Sequence, residues 1–420
     1  MNLVFFLLVA AAAAVAAAGE LSGGGGAMAA LSGAALKAAE AAVPLALGLV
    51  GVMALFLGLM KVAEEAGLVR AVARLLAPLV RSLFPQVPAG HPAMGAMVMN
   101  VAANLLGLGN AATPFGIRAM EQLQRLNRHP DRASDAQALF LALNTASVTI
   151  LPTSVIALRA ASGSVNPAAV VAPTLAATLI SATVAVAAAK LLAPLFPVPA
   201  IAVGDDGAAN DNDQDGAQHL PPLPVWAPWL ALAAMLGLIP LMVAHGQTLG
   251  HWIVPLLMVG LLGYGLARRV AVYECFVDGA REGFAIAVRI IPYLVAILVA
   301  IAMLRQSGAL ELALAPLARL AAPLGIPPEA LTMAGLRSLS GSGSFGLLAA
   351  YMKDPAIGPD SPTGILLGTI YGSSETTFYV LAVYFGAIGV RRMRHALAAG
   401  LIADLAGLLA AVAACAALLP

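Results

Sequence analysis

The chain has 420 residues, of which 61% are hydrophobic and only 10% charged, with a formal net charge of +1. A soluble domain carries about 25% charged residues, so a water-soluble globular fold is excluded. The two cysteines, Cys275 and Cys415, are far apart and without metal-like spacing, which excludes a disulfide framework and leaves free thiols.

Apolar windows near the ~20-residue length of a bilayer-spanning helix fall at 2–18, 42–60, 136–158, 168–194, 226–244, 251–267, 284–304, 364–386 and 395–418. The first, "MNLVFFLLVAAAAAVAAAG", has the look of a signal peptide but lacks a basic leading region, so it reads as an uncleaved helix. After window 42–60, "KVAEEAGLVRAVARLLAPLVRSLFP" sets Lys61, Arg70, Arg74 and Arg81 among leucines at helical spacing, which predicts an amphipathic helix in the interface. Next comes "NVAANLLGLGNAATPFG" (100–116), where amides, glycines and a proline interrupt the apolar pattern. The same order recurs later: window 284–304, the amphipathic "RQSGALELALAPLARLAAPLG", then "LRSLSGSGSFGLLAAYM", then window 364–386. Asn104 to Asn110 aligns with Ser338 to Ser344 with G-x-G in register, and "NTASVTILPTS" answers "YGSSETTFYVL", placing Ser147 over Ser374 and Thr149 over Thr376. The chain therefore reads as an internal duplication. Between the halves, "VGDDGAANDNDQDGAQHLPPLP" is acidic and apolar-poor, which suits a flexible tether.

Charge placement orients the halves. With the two G-x-G segments drawn as re-entrant hairpins and the nine windows crossing, most of the 22 Lys and Arg residues share one face, "RRMR" at 391–394 among them. Basic residues mark the cytoplasmic side. On this drawing the halves have inverted topology with broken helices in matching places, the pattern of a secondary transporter whose site lies at the midplane.

Irregular backbone at membrane depth survives only where it is buried in protein or lines a wet cavity. Gly107, Gly109, Gly341 and Gly343 permit tight turns and close approach of the backbone to a ligand, with small-residue helix packing as the plain alternative. Asn104, Asn110, Thr113, Asn144, Ser147, Thr149, Ser342, Ser344, Ser374 and Thr377 offer uncharged hydrogen-bonding groups to a solute. Glu375, in "GSSETT", and Asp404, in the last window, are intramembrane acids and so candidates for coupling, with a wet interface or a structural hydrogen bond as their plainer roles. Arg337 is a candidate partner for either acid or for a substrate anion, or it snorkels to the interface. No nucleophile elbow, H-E-x-x-H or Walker lysine occurs, so neither a catalytic residue nor a metal site is expected.

"MNVAANLLGLGNAATPFGIRAMEQLQ" (99–124) resembles spore maturation protein A, and "SGSGSFGLLAAYMKD" with "GSSETTFYVLAVYFGAIGVRRMRHALAAGLIADLAG" (340–407) resembles spore maturation protein B. Both belong to the nucleoside recognition (Gate) domain family, whose relatives include parts of concentrative nucleoside and ferrous iron transporters. The resemblance implies membrane transport of a nucleoside-like or other small polar solute.

The expectation is an all-α, multi-pass protein of the cell inner membrane, built from two inverted Gate-type repeats. The N-terminal membrane half covers 1–202, the linker 203–224 and the C-terminal half 225–420. Its expected partners are a small polar solute, a proton or monovalent cation and the lipid bilayer. No cofactor and no nucleic acid is expected, and homo-oligomerisation stays open. The alternative is a non-transporting membrane partner protein in an envelope or spore-maturation process.

Overall fold

A computed structural model describes residues 2–22, 25–88, 90–197, 237, 252 and 254–418. The expected linker and, apart from residue 237, window 226–244 fall outside the described residues. Among the described residues the regular structure is helical, with one isolated bridge between Arg132 and Arg392. Alanine and leucine, the strong helix formers, dominate these segments.

After α1 (Asn2–Leu21), one sequence of helices occurs twice. Its first passage is α2 (Ala27–Glu65), α3 (Leu68–Leu83), α4 (Pro92–Leu105), α5 (Gly109–Arg125), α6 (Asp135–Ala146), α7 (Thr153–Ala161) and α8 (Val171–Leu192). Following α9 (Val254–Ala267), the second passage is α10 (Val272–Ser307), α11 (Ala309–Ala321), α12 (Pro328–Leu339), α13 (Gly341–Lys353), α14 (Pro362–Gly372), α15 (Thr377–Ala387) and α16 (Ala396–Leu418). Each passage is a long helix, an amphipathic helix, two broken pairs and an apolar closing helix. On α3 the apolar stripe of Val69, Ala73 and Val80 is buried while Arg70 and Arg81 stay exposed, as the leucine spacing predicts.

Corresponding helices pack on each other across the halves, α2 along α10 and α8 along α16. The second contact is close because its residues are small: Ser181 Oγ donates to the Ala403 carbonyl at 2.9 Å, and a Cβ at Gly407 would lie 3.3 Å from Ser181 Oγ. Two helices are long and apolar enough to cross a membrane among the described residues, Pro167–Leu195 and Ala396–Leu418.

Windows 136–158 and 364–386, expected as single spans, are each two helices. The first stops at Ser147, which takes a left-handed φ of 36°, and restarts after Pro152. The second stops at Gly372 and restarts after the extended Thr376. Mean hydropathy does not register these breaks because the interrupting residues are few and the flanks strongly apolar. The freed backbone groups pair with other breaks: Ile150 N donates to Leu105 O at 3.0 Å and Glu375 N to Thr145 O at 2.9 Å. Helices α2 and α10 also overrun the windows at 42–60 and 284–304, reaching 39 and 36 residues.

Loop contacts sort into two ends. At one, Asp131 O accepts from Arg391 N and Arg392 N at 3.0 and 2.9 Å, and Arg394 reaches Asp135 at 2.6 Å and the carbonyls of Ala133 and Phe196. At the other, fully buried Arg159 donates to Pro167 O, Asn166 O, Ser164 Oγ and Asp360 Oδ1, and Arg305 pairs with Asp354 at 3.1 Å. The α6–α7 pair runs from the first end to the second, and α14–α15 runs back. Their starts are fixed by serine caps: Ser134 with Gln137 in a capping box, and Ser361 accepting from Gly364 N at 2.9 Å. By contrast α4 folds back along α5, so that Pro92 and Arg125 line one cleft.

Candidate functional site

The four breaks touch one another in series. Gly107, with φ of 74°, ends the α4 break, and a Cβ there would fall closer than 3.0 Å to Leu151 O in the α6–α7 break. Only glycine meets both conditions. In the second half Ser340 is extended and caps α13, its Oγ accepting from Gly343 N at 3.1 Å. A Cβ at Gly341 would lie 2.9 Å from Thr376 Oγ1 in the α14–α15 break.

Amides and a phenol fill the first-half side of this junction. Asn104 Nδ2 donates to Asn144 Oδ1 at 3.0 Å, Asn144 Nδ2 to Phe140 O at 2.9 Å, and Tyr384 OH to Asn144 Oδ1 at 3.3 Å. Asn100 Nδ2 lies 2.8 Å from Ala112 O and 3.3 Å from Tyr384 OH. Tyr384 comes from the other half and stacks on Phe140, with ring centroids 6.2 Å apart. Its hydroxyl occupies the space over Gly116, where a Cβ would overlap it.

Charge concentrates on the second-half side. Arg337 donates through Nε to Ser374 O at 3.0 Å and through Nη2 to the same carbonyl, and Nη1 lies 3.4 Å from Thr376 Oγ1. Its guanidinium sits 4.3 Å over the Tyr371 ring and 3.5 Å from Glu375 Oε2. The Arg337 side chain is 7% exposed and that of Glu375 40%, so Glu375 is the open member of the pair. Of the roles open to Arg337, contact with Glu375 is the one this geometry fills. Asp404 Oδ2 accepts from Ser338 Oγ and Thr377 Oγ1, both at 2.6 Å.

The other expected contacts divide. Ser147 is buried at the end of α6 and its carbonyl accepts from Thr149 Oγ1 at 3.0 Å, so both belong to the break. Ser344 Oγ is spent on Gly341 O at 3.0 Å, and Ser374 Oγ on Ile370 O at 3.3 Å. Ser342 lies half-buried in the first turn of α13. Gly109 opens α5, and the side chain of Asn110 lies outside the described residues. Thr113 lines a separate cleft of about 540 Å³ with Pro92, Arg118, Gln122 and Arg125.

Four buried oxygens at or beside the junction have no hydrogen-bond partner: Asn100 Oδ1, Thr145 Oγ1, Thr174 Oγ1 and Asp404 Oδ1. Buried polar atoms are paired as a rule, so the junction holds hydrogen-bonding capacity in reserve. Asn100, Thr145, Thr174 and Tyr384 are absent from the sequence expectation. Asn100 was within reach, one helical turn before Asn104 on the same face. Tyr384 carried no local signal.

Outside the breaks, His91 caps α4, its Nδ1 accepting from Ala93 N at 3.2 Å. Burial, and then the nearby Arg125, hold its pKa below the ordinary histidine value, which favours the neutral ring this cap needs.

The nucleoside recognition (Gate) family profile matches residues 46–162, which contain α4 to α7 and the first-half breaks. The chain is 47% identical over 148 residues to spore maturation protein A of Bacillus subtilis (strain 168), an alignment covering 35% of this chain and 76% of that protein. It is 44% identical over 163 residues to spore maturation protein B of the same organism, covering 38% of this chain and 88% of that one. No solved structure matches. At these identities and coverages, the chain belongs to the spore maturation protein A and B family and carries a nucleoside recognition (Gate) domain.

Proposed function

We propose that this protein is a multi-pass inner-membrane secondary transporter of a small polar solute, coupled to a proton or monovalent cation and without catalytic activity. The observation that carries the reading is the meeting of four helix breaks around buried, partly unpaired polar groups. Such backbone at membrane depth is tolerated where it is buried in protein or lines a wet cavity, and matched breaks in two repeats are the pattern of a secondary transporter's site. In this reading α4–α5 and α12–α13 are re-entrant hairpins entering from opposite sides, and α6–α7 and α14–α15 are broken spans crossing between them. Residues 1–202 and 225–420 then form two halves of inverted topology joined by a cytoplasmic tether.

Asn100, Asn104, Asn144, Thr145 and Tyr384 form the solute's polar wall, and Thr377, Asp404, Arg337 and Glu375 the charged one. Amide and hydroxyl groups of this kind suit a nucleoside-like solute, in keeping with the description of the matching family. A thermal-shift screen of small polar compounds on purified protein tests the reading, because a ligand stabilises the state that it binds. A compound that stabilises the parent and fails to stabilise Asn144→Ala supports it. Stabilisation by partner proteins alone would favour a non-transporting membrane module.

A further inference from the structure

Asp404 lies one helical turn after Gly400 on α16, on the same face. A Cβ at Gly400 would sit 3.1 Å from Thr377 Cγ2 and 3.5 Å from Thr145 Oγ1. The closing helix of the second half therefore presses on both crossing breaks at this level. Here the Asp404 carboxylate takes one hydroxyl from the end of α12, Ser338, and one from the start of α15, Thr377. Both hydroxyls serve Oδ2, while Oδ1 is buried and has no partner. The fully buried Thr145 hydroxyl, which faces Gly400 one turn earlier, is unpaired as well.

Charged groups around it are few. Arg337, from α12, is committed to Ser374 O, Thr376 Oγ1, the Tyr371 face and Glu375. Glu375, from the α14–α15 break, is held by that arginine and half-open to solvent. Helices α6 and α8, also packed on α16, present Thr145 and Ser181 to it and carry Asp135 and Lys190 near their ends. An ionised carboxylate with one buried oxygen unserved is costly, and neutralising it removes the cost.

We propose that Asp404 is the proton-binding group of this site. The inference rests on the transport reading for its role, while the proton site itself stands on the geometry above. Binding is the simple reaction of one carboxylate with one proton to give one carboxylic acid, with no other bond made or broken. Its consequence is mechanical. The carboxylate accepts from Ser338 and Thr377 together and so ties the end of α12 to the start of α15. With the proton on the unserved Oδ1, Oδ2 becomes a neutral carbonyl oxygen, so its two hydrogen bonds lose their charge assistance and the tie loosens. A proton is also the one cation that needs no further ligands than this pocket supplies.

The test is infrared difference spectroscopy on the purified full-length protein in lipid, titrated from pH 9 to pH 6.5, above the range in which ordinary carboxylates take up protons. A protonated-carboxyl band should grow in the parent and in Glu375→Gln, and be missing from Asp404→Asn. Should Asp404→Asn fail to fold, Thr377→Val and Ser338→Ala each remove one hydroxyl donor and should move the band in frequency. A band that survives in Asp404→Asn, vanishes in Glu375→Gln, or ignores both hydroxyl variants overturns the proposal. Sodium abolishing the band at fixed pH would overturn the choice of proton. An Asp404 band in a protein that accumulates no solute would keep this site and remove the transport reading. Proton-driven accumulation by Asp404→Asn would do the reverse.

Discussion

Replacing Gly107 with alanine applies two separable stresses to the junction. The residue sits at φ of 74°, where an L side chain costs about 1–2 kcal/mol. The new Cβ would also approach Leu151 O closer than 3.0 Å, and a backbone carbonyl has no rotamer with which to retreat. Overpacking of this kind costs about 1–3 kcal/mol, so the two together come to about 2–5 kcal/mol. Gly163 supplies the control, with φ of 81° and nothing within 4 Å of its added Cβ. Gly163→Ala should therefore lose only the backbone share, about 1–2 kcal/mol. Thermal melting in detergent at one scan rate ranks the two, and solute-induced stabilisation should be lost in Gly107→Ala alone. Equal melting losses, or ligand binding retained in Gly107→Ala, would refute the claim that backbone contact between the α4–α5 and α6–α7 breaks builds the site.

Other consequences are as direct. Arg159→Met leaves the Pro167 and Asn166 carbonyls without their donor and Asp360 without its cation; with Asp360 partly exposed, the loss should be about 2–4 kcal/mol, read as a lower melting temperature. In a background of Cys275→Ser and Cys415→Ser, a cysteine at Ala356 should react with an impermeant reagent in intact cells and one at Arg128 should not. Reaction of both, or the reverse, removes the inverted topology. The depressed pKa of His91 means that the unfolded chain binds this proton more readily. Its contribution to stability is thus whole above about pH 6.5 and is lost as pH falls through the folded value. His91→Asn, a capping residue that does not titrate, should flatten that part of the stability profile.

Much of this architecture was legible in the sequence, for identifiable reasons. The G-x-G segments at 107–109 and 341–343 announced their breaks because glycine clusters among polar residues contradict an apolar helix. The basic residues at 128–132 and 391–394 announced a shared end, and the pairing of Asp131 with Arg391 and Arg392 brings those loops together. The breaks between α6 and α7 and between α14 and α15 were hidden by their own flanks. Eleven residues of strongly apolar α15 outweigh the hydroxyl run before it in any window average. Nor could local pattern place Tyr384 against Asn100 and Asn144, because those contacts join the two halves and depend on how they pack. The ties of Asp404 to Ser338 and Thr377 were likewise beyond reach, although its need for a polar partner from another helix was not.

Solute accumulation in proteoliposomes bears most directly on the central claim. The full chain would be reconstituted and a panel of nucleosides and other small polar solutes offered under an imposed inward pH gradient, against protein-free liposomes. The account predicts saturable, gradient-dependent accumulation of at least one solute, abolished by Asn144→Leu while that variant remains folded. Accumulation that is unaffected by Asn144→Leu, or a panel in which no solute enters above the protein-free level, would contradict it.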